Sequence, residues 1–443
     1  MTLLTRRDFL TAAGAIAFSF GPRGAIGQMV GTYAPFSDYR ALVCVFLHGG
    51  NDSFNMLVPR SHAEHTIYAR ARQNFAIPRE ELLPINPVRG DGAEYGIHPA
   101  MPGLQRLFES GRLSFVANVG PLIEPTSKEQ FLNKTVRIPP QLFSHKDQQE
   151  QWQSLRGENL YGSGWGGRIA DILTEAVGQQ RLPTNISLSG NPLFLSGETS
   201  TAYTMGQNGP VAFSGLQGQR RDTLQRLLDI RYPSAYSRAL AEIQRRALDT
   251  YDRVRGALRA APAITTPFPD SLLGRQLSTV ARLISVRDRL ELQRQIFFVA
   301  IGGFDTHDDQ DTLQPRLFET LSTALTAFYD ATVELGVSGN VTTFTQSEFG
   351  RTLTSNGDGT DHGWGGTQLV LGDAVLGRRI YGAYPRLELG GPDDVGGGRL
   401  IPGIATDQFA ATLARWFGVA ESDLTYVAPH ITNFSQTDLA LFV

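Results

Sequence analysis

Six apolar runs of strand length, at 41–47, 113–119, 185–188, 295–301, 341–345 and 368–371, constrain this chain more than any other feature. Each is rich in Val, Ile, Leu or Phe and lacks the polar alternation of a strand with one wet face, so each is expected to be covered on both faces. Stretches of helical pattern separate them, at 63–73, 101–109, 146–155, 167–176, 223–228, 236–257, 272–289, 317–335 and 407–416. Strand and helix in turn predict an α/β fold, a mainly parallel sheet with helices packed on both sides. The block 214–290 is nearly all helical and reads as an inserted helical layer.

A chain of 443 residues has ample material for a buried core. Its formal charge of −3 comes from acids and bases mixed throughout, which excludes a basic face for a phosphate backbone and makes nucleic acid an unexpected partner. The first residues read Thr5-Arg6-Arg7-Asp8-Phe9-Leu10, then a short apolar run to Phe20, then small residues at Ala25 and Gly27. The pair Arg6 and Arg7 ahead of such a segment marks 1–27 as a twin-arginine export signal, with the translocation machinery as partner and the periplasm or exterior as destination. The run is too short to span a bilayer, so the mature chain is expected to have no transmembrane anchor and to be a single domain over 28–443. Cys44, the lone cysteine, rules out an internal disulfide and reads as a small buried hydrophobe.

In an open parallel sheet, ligands bind beyond the carboxyl ends of the strands. The polar clusters follow that rule. His48-Gly49-Gly50-Asn51-Asp52-Ser53 follows the first run, Gly302 to Asp309 the fourth, and Ser347-Glu348 the fifth, so three distant turns are expected to face one crevice.

Those turns, with His98-Pro99, Ser347-Glu348-Phe349-Gly350-Arg351-Thr352 and Gly359-Thr360-Asp361-His362-Gly363-Trp364-Gly365, resemble the bacterial exported family called domain of unknown function 1501 over nearly the whole chain. That family is in turn similar to the alkaline phosphatase and sulfatase superfamily. The resemblance implies a three-layer α/β/α sandwich of alkaline-phosphatase-like form, with metals at the carboxyl ends of its strands. Carried over, Asp52 matches the first metal aspartate and Asp305 a later one. Glu348 stands in place of the aspartate of an Asp-His pair, and Phe349 replaces its histidine. His307, Asp361 and His362 complete the expected metal ligands.

Carboxylate oxygens and neutral imidazole nitrogens hold divalent cations, here zinc, manganese or magnesium. Two such cations can stabilise the attacking and leaving oxygens of an ester. The competing account of these residues is helix caps and turn carboxylates bonding their own backbone. His48, Asn51, Ser53, His98, Arg351 and Trp364 are the expected lining, with Arg351 either gripping an anionic ester or pairing with an acid. Ser144, at a helix start, is the candidate nucleophile and equally a cap; no Gly-x-Ser-x-Gly elbow or Gly-x-x-x-x-Gly-Lys loop occurs. Two functions remain open: an exported metal-dependent hydrolase of phosphate, sulfate or related small anionic esters, or a non-catalytic metal- or ligand-binding envelope or scaffold protein of the same fold.

Overall fold

A computed structural model describes residues 33–443 except 89–91, 158–161, 175, 178–181 and 213–214. The expected export segment at 1–27, with Arg6 and Arg7, lies outside the described residues. The described residues form fourteen strands: β1 Arg40–Leu47, β2 Leu57–Pro59, β3 Leu83–Ile85, β4 Tyr95–Ile97, β5 Leu113–Gly120, β6 Asn185–Ser187, β7 Tyr203–Thr204, β8 Arg294–Ile301, β9 Val341–Ser347, β10 Arg351–Ser355, β11 Thr360–His362, β12 Gly366–Leu371, β13 Ile380–Tyr381 and β14 Ile404–Ala405.

All six expected strands lie in one nine-stranded sheet of order β13-β5-β12-β9-β1-β8-β6-β7, with β14 added beside β5. Strand β12 runs antiparallel to both its neighbours and every other pairing in this sheet is parallel. In β1 the side chains divide by parity. Ala41, Val43, Val45 and Leu47 enter the apolar layer shared with helices Pro102–Glu109, Leu272–Ser285 and Gln310–Glu334. Leu42, Cys44 and Phe46 enter the opposite layer, with helices His145–Ser154, Trp165–Leu173 and Thr406–Phe417. Both faces are apolar because both are covered, which makes a three-layer α/β/α sandwich.

The nine expected helices form as well. The long one starts at Gln310 rather than 317, with Pro315 inside it, because its polar opening turns carry little apolar periodicity. Helices Gln219–Leu228 and Ala235–Arg259 occupy the expected helical block. The β10–β11 hairpin and the β2-β4-β3 sheet were not expected from the sequence, being too short or too polar for a period-2 signal. Among the described residues no helix is long and apolar enough to cross a membrane.

Candidate metal centre

The centre sits where three adjacent strands end. Strands β9, β1 and β8 are neighbours, and the chain leaves them at Ser347, Leu47 and Ile301 into the turns that carry Glu348, His48 and Asp305. Close approach of two of these turns demands glycine. Gly49 has φ +118°, and a Cβ there would lie 2.2 Å from the Asp305 amide nitrogen. The β10–β11 hairpin supplies two more side chains, setting Arg351 directly opposite His362.

Asp305 is the hub. Its Oδ1 accepts from Arg351 Nη1 at 2.7 Å and lies 3.1 Å from His307 Nε2 and 3.4 Å from His362 Nε2. Its Oδ2 lies 3.3 Å from His145 Nε2. Burial alone would raise the Asp305 carboxyl. The Arg351 hydrogen bond and charge, then His145 and His307, outweigh it and hold the group below the usual aspartate range.

The two histidines opposite Asp305 are each held at Nδ1. His362 Nδ1 lies 2.7 Å from the Phe143 carbonyl oxygen and His307 Nδ1 lies 3.2 Å from Asp361 Oδ1. A carbonyl or carboxylate oxygen only accepts, so each Nδ1 is a donor, and a neutral ring then presents its lone pair at Nε2. Those two Nε2 atoms are 2.9 Å apart. Facing lone pairs at that distance need a proton or a cation between them. Burial lowers the proton affinity of His362 below the ordinary histidine range, and the neighbouring His145 and Arg351 add to this against the Phe143 carbonyl. His362 also stacks on Phe349, with ring centroids 4.6 Å apart.

His145 was missed as a site residue by sequence reasoning. It opens the helix His145–Ser154, whose polar run HKDQQEQWQS reads as a solvated surface, and no local spacing ties it to Asp305. The fold places it between two acids, with Nδ1 3.9 Å from Glu348 Oε1, and in edge contact with His362 at 4.3 Å between centroids. Glu348 beside it raises the His145 proton affinity, as does Asp305, against the opposing effects of burial and Arg351. His145, Asp305 and His362 each bring one ligand atom within 4.8 Å of the others.

The other expected residues divide. Glu348 is buried and turned toward the backbone, accepting from Gly49 N at 2.9 Å and Gly50 N at 3.0 Å. Burial alone would raise it, but His145, His48 and the Gly49 amide outweigh that and carry it down to about 2. His48 Nδ1 stands 3.8 Å from Glu348, an ion-pair distance rather than a hydrogen bond.

Asp52 is not brought to the cluster. Its Oδ2 pairs with Arg72 and accepts from Gln310 Nε2 at 2.6 Å, in a fully buried setting. The turn through Gly49 and Gly50 aims Asp52 at the helix His62–Arg72 and away from the crevice. A relay joins the two places: Gln310 Oε1 accepts from Thr360 Oγ1 at 2.6 Å, and Thr360 Oγ1 accepts from Arg351 Nε at 3.3 Å. Arg351 is wholly buried, and its remaining donors go to Gly49 O at 3.1 Å and to Thr360 O. The guanidinium therefore aims Asp305 and has no face for an ester.

Asn51, Ser53, His98 and Trp364 serve the scaffold. The Asn51 amide donates to Ser347 Oγ at 2.8 Å, and Ser53 Oγ accepts from Thr367 N at 2.8 Å. His98 Nδ1 accepts from Ala100 N at 3.0 Å, with burial lowering its pKa to about 4, and Trp364 Nε1 donates to Pro121 O at 3.0 Å. Ser144 is the helix N-cap: its hydroxyl donates to Asp147 Oδ2 and accepts from the Asp147 amide.

A family model described as protein of unknown function, DUF1501, matches residues 39–428. No curated protein is matched. Among solved structures, this chain is similar to Ps i-CgsB in complex with k-i-k-neocarrahexaose, at 8% identity and a TM-score of 0.35 over 87% of this chain and 74% of that one. It is also similar to a Bacteroides thetaiotaomicron structure from work on the metabolism of multiple glycosaminoglycans, at 10% identity and a TM-score of 0.31 over 87% and 74%. A third is the C-terminal periplasmic domain of EcEptC from Escherichia coli in complex with zinc, at 11% identity and a TM-score of 0.25 over 77% of each chain.

Proposed function

The chain belongs to the DUF1501 family, and for this member we propose a divalent metal centre held by Asp305, His307 and His362, with His145 beside it, in an exported enzyme that acts on phosphate, sulfate or related esters. One observation carries the metal. The Oδ1 of Asp305 and the Nε2 atoms of His307 and His362 form a triangle with sides of 2.9, 3.1 and 3.4 Å. Ligands about 2.0–2.1 Å from a tetrahedral zinc stand about 3.3 Å from one another, so the three atoms fit one face of such a site. The carbonyl of Phe143 and the carboxylate of Asp361 then orient the histidines from behind, the outer support that metal-bound imidazoles ordinarily have.

A cation there would supply Lewis-acid polarisation of an ester oxygen and a more acidic bound water. The chain's own residues do the rest. Arg351 fixes the rotamer of Asp305, and the hairpin fixes His362 against Phe349. His145, between Asp305 and Glu348 and partly open to solvent, is placed to hold a proton at Nε2 and release it to a departing oxygen. A specific observation favours the non-catalytic alternative: the Ser144 hydroxyl is engaged and Arg351 is enclosed, so neither stands ready as nucleophile or anion fork.

Metal analysis of purified protein, joined to a screen with chromogenic phosphate and sulfate esters, separates the readings. Stoichiometric metal with turnover that His145→Ala abolishes is the expected result; metal without turnover leaves the metal-binding protein, and no metal overturns the metal centre and leaves the scaffold. Export is tested apart. Changing Arg6 and Arg7 to Lys is expected to leave precursor in the cytoplasm, and normal accumulation outside it would remove that part of the reading.

A further inference from the structure

We propose that the turn joining helices Gln219–Leu228 and Ala235–Arg259 docks on an anionic lipid surface. The pair stands apart from the sandwich. Leu228, Ala241 and Leu248 bury one another together with Leu216, Leu224 and Tyr232, in a cluster separate from the two that enclose the sheet. Among the described residues of the pair, only the far end of the longer helix, at Val254, Ala257 and Leu258, enters the main core.

The turn between the helices carries apolar side chains that the described residues leave largely uncovered. Tyr236 is 90% exposed, Leu240 54%, Ile230 50% and Leu227 47%. The first two are four residues apart on one helix face, while Leu227 lies in the last turn of the preceding helix and Ile230 just after it. The turn is also held in place. Tyr232 Oη donates to Leu227 O at 2.9 Å, Arg238 Nη1 donates to Tyr232 O at 3.0 Å, and Arg245 Nη2 donates to Leu228 O.

Charge selects the occupant. Residues 219–246 contain seven arginines against three acids, a net charge of +4 in a chain whose total is −3. Arg226, Arg231 and Arg238 have no carboxylate partner among the described residues. A second copy would bring the same positive charge to the same place, so self-association is disfavoured. Apolar side chains ringed by arginine match an anionic leaflet, which takes the apolar groups among its acyl chains and the guanidiniums at its phosphates. The interaction is peripheral: the apolar tip is four side chains wide.

The test is sedimentation of the full chain with vesicles of phosphatidylglycerol and phosphatidylcholine, and with vesicles of phosphatidylcholine alone. Binding to the first and not the second is expected, weakening in 0.5 M salt. Tyr236→Ser with Leu240→Ser should lower the partition coefficient by roughly tenfold or more, and Arg226→Glu with Arg231→Glu by a similar factor. All four side chains are exposed, so unchanged unfolding midpoints are expected to accompany the loss. Vesicle binding that both double variants retain in full overturns the proposal. So does a chain that ignores the vesicles and is held instead, through the same arginines, by a soluble polyanion such as heparin.

Discussion

Two aspartates follow strands of the same sheet, each with an arginine on it, and they do opposite things. Asp305 leaves its side chain 44% exposed, with three histidines around it, and Arg351 reaches it from beneath. Asp52 is wholly buried, and its Oδ2 is shared by Arg72 and Gln310 while Oδ1 has no hydrogen-bond partner among the described residues. The first acid can exchange a histidine contact for a metal or a ligand without stranding a charge in a dry interior. The second cannot, and it acts as a buried brace under the first, joined to it through Gln310, Thr360 and Arg351. An acid after a strand is thus a site only when its turn leaves it facing the crevice.

The largest expected effect tests that contrast directly. Arg72→Met leaves the Asp52 carboxylate buried and unpaired, which should cost about 3–5 kcal/mol. Arg351→Met should cost clearly less, below about 3 kcal/mol, because Asp305 can turn to water. Urea unfolding of the two variants decides it; equal losses would break the distinction between brace and site.

Glu348 sharpens the comparison, being buried like Asp52 yet served by backbone amides and histidines like a site group. Its folded-state pKa of about 2 lies below the ordinary 4.5. The unfolded chain therefore takes up the proton first as pH falls. The stability Glu348 contributes is fully present above about pH 4.5 and drains away toward pH 2, a total of about 3 kcal/mol. Glu348→Gln should flatten that acid limb of the stability profile, and an unchanged limb would show that the carboxylate is not held as described.

The metal should also tell the two aspartates apart. At a concentration a hundred times its dissociation constant a native-state ligand adds about 2.7 kcal/mol to stability. That gain should appear on adding zinc or manganese to chelator-treated protein. Asp305→Asn and His362→Ala should each weaken affinity by roughly tenfold or more, whereas Asp52→Asn should leave the affinity of the folded protein unchanged. Equal weakening by both aspartate variants would return Asp52 to the ligand set.

Most of the framework was legible in the sequence, because runs such as 41–47 and 295–301 are apolar on both parities and can only be strands buried on two faces. The position of the crevice followed from the turns after those runs. Its membership was less legible. Asp305, His307, Asp361 and His362 lie together as expected, while Asp52 departs because two positive-φ glycines redirect the turn ahead of it. His145 could not be seen because its neighbours in sequence are surface-like and its partners lie in other turns. Arg351 was visible, but its enclosure depends on the β10–β11 hairpin, whose strands RTLTS and TDH are too short and polar to announce themselves.

The smallest effect concerns Ser144, which the sequence left between cap and nucleophile. Its side chain accepts from the Asp147 amide and its hydroxyl donates to the Asp147 carboxylate, so it satisfies the start of the helix that carries His145. Ser144→Ala should cost about 1 kcal/mol, the ordinary cost of a lost cap. Asn caps as well as Ser, so Ser144→Asn should recover that stability and, with it, the placement of His145 against Asp305. A nucleophilic hydroxyl is not replaced by an amide. Whatever turnover the ester screen finds should therefore survive in Ser144→Asn, and a loss of a thousandfold or so in kcat there, with stability intact, would make Ser144 the attacking group after all.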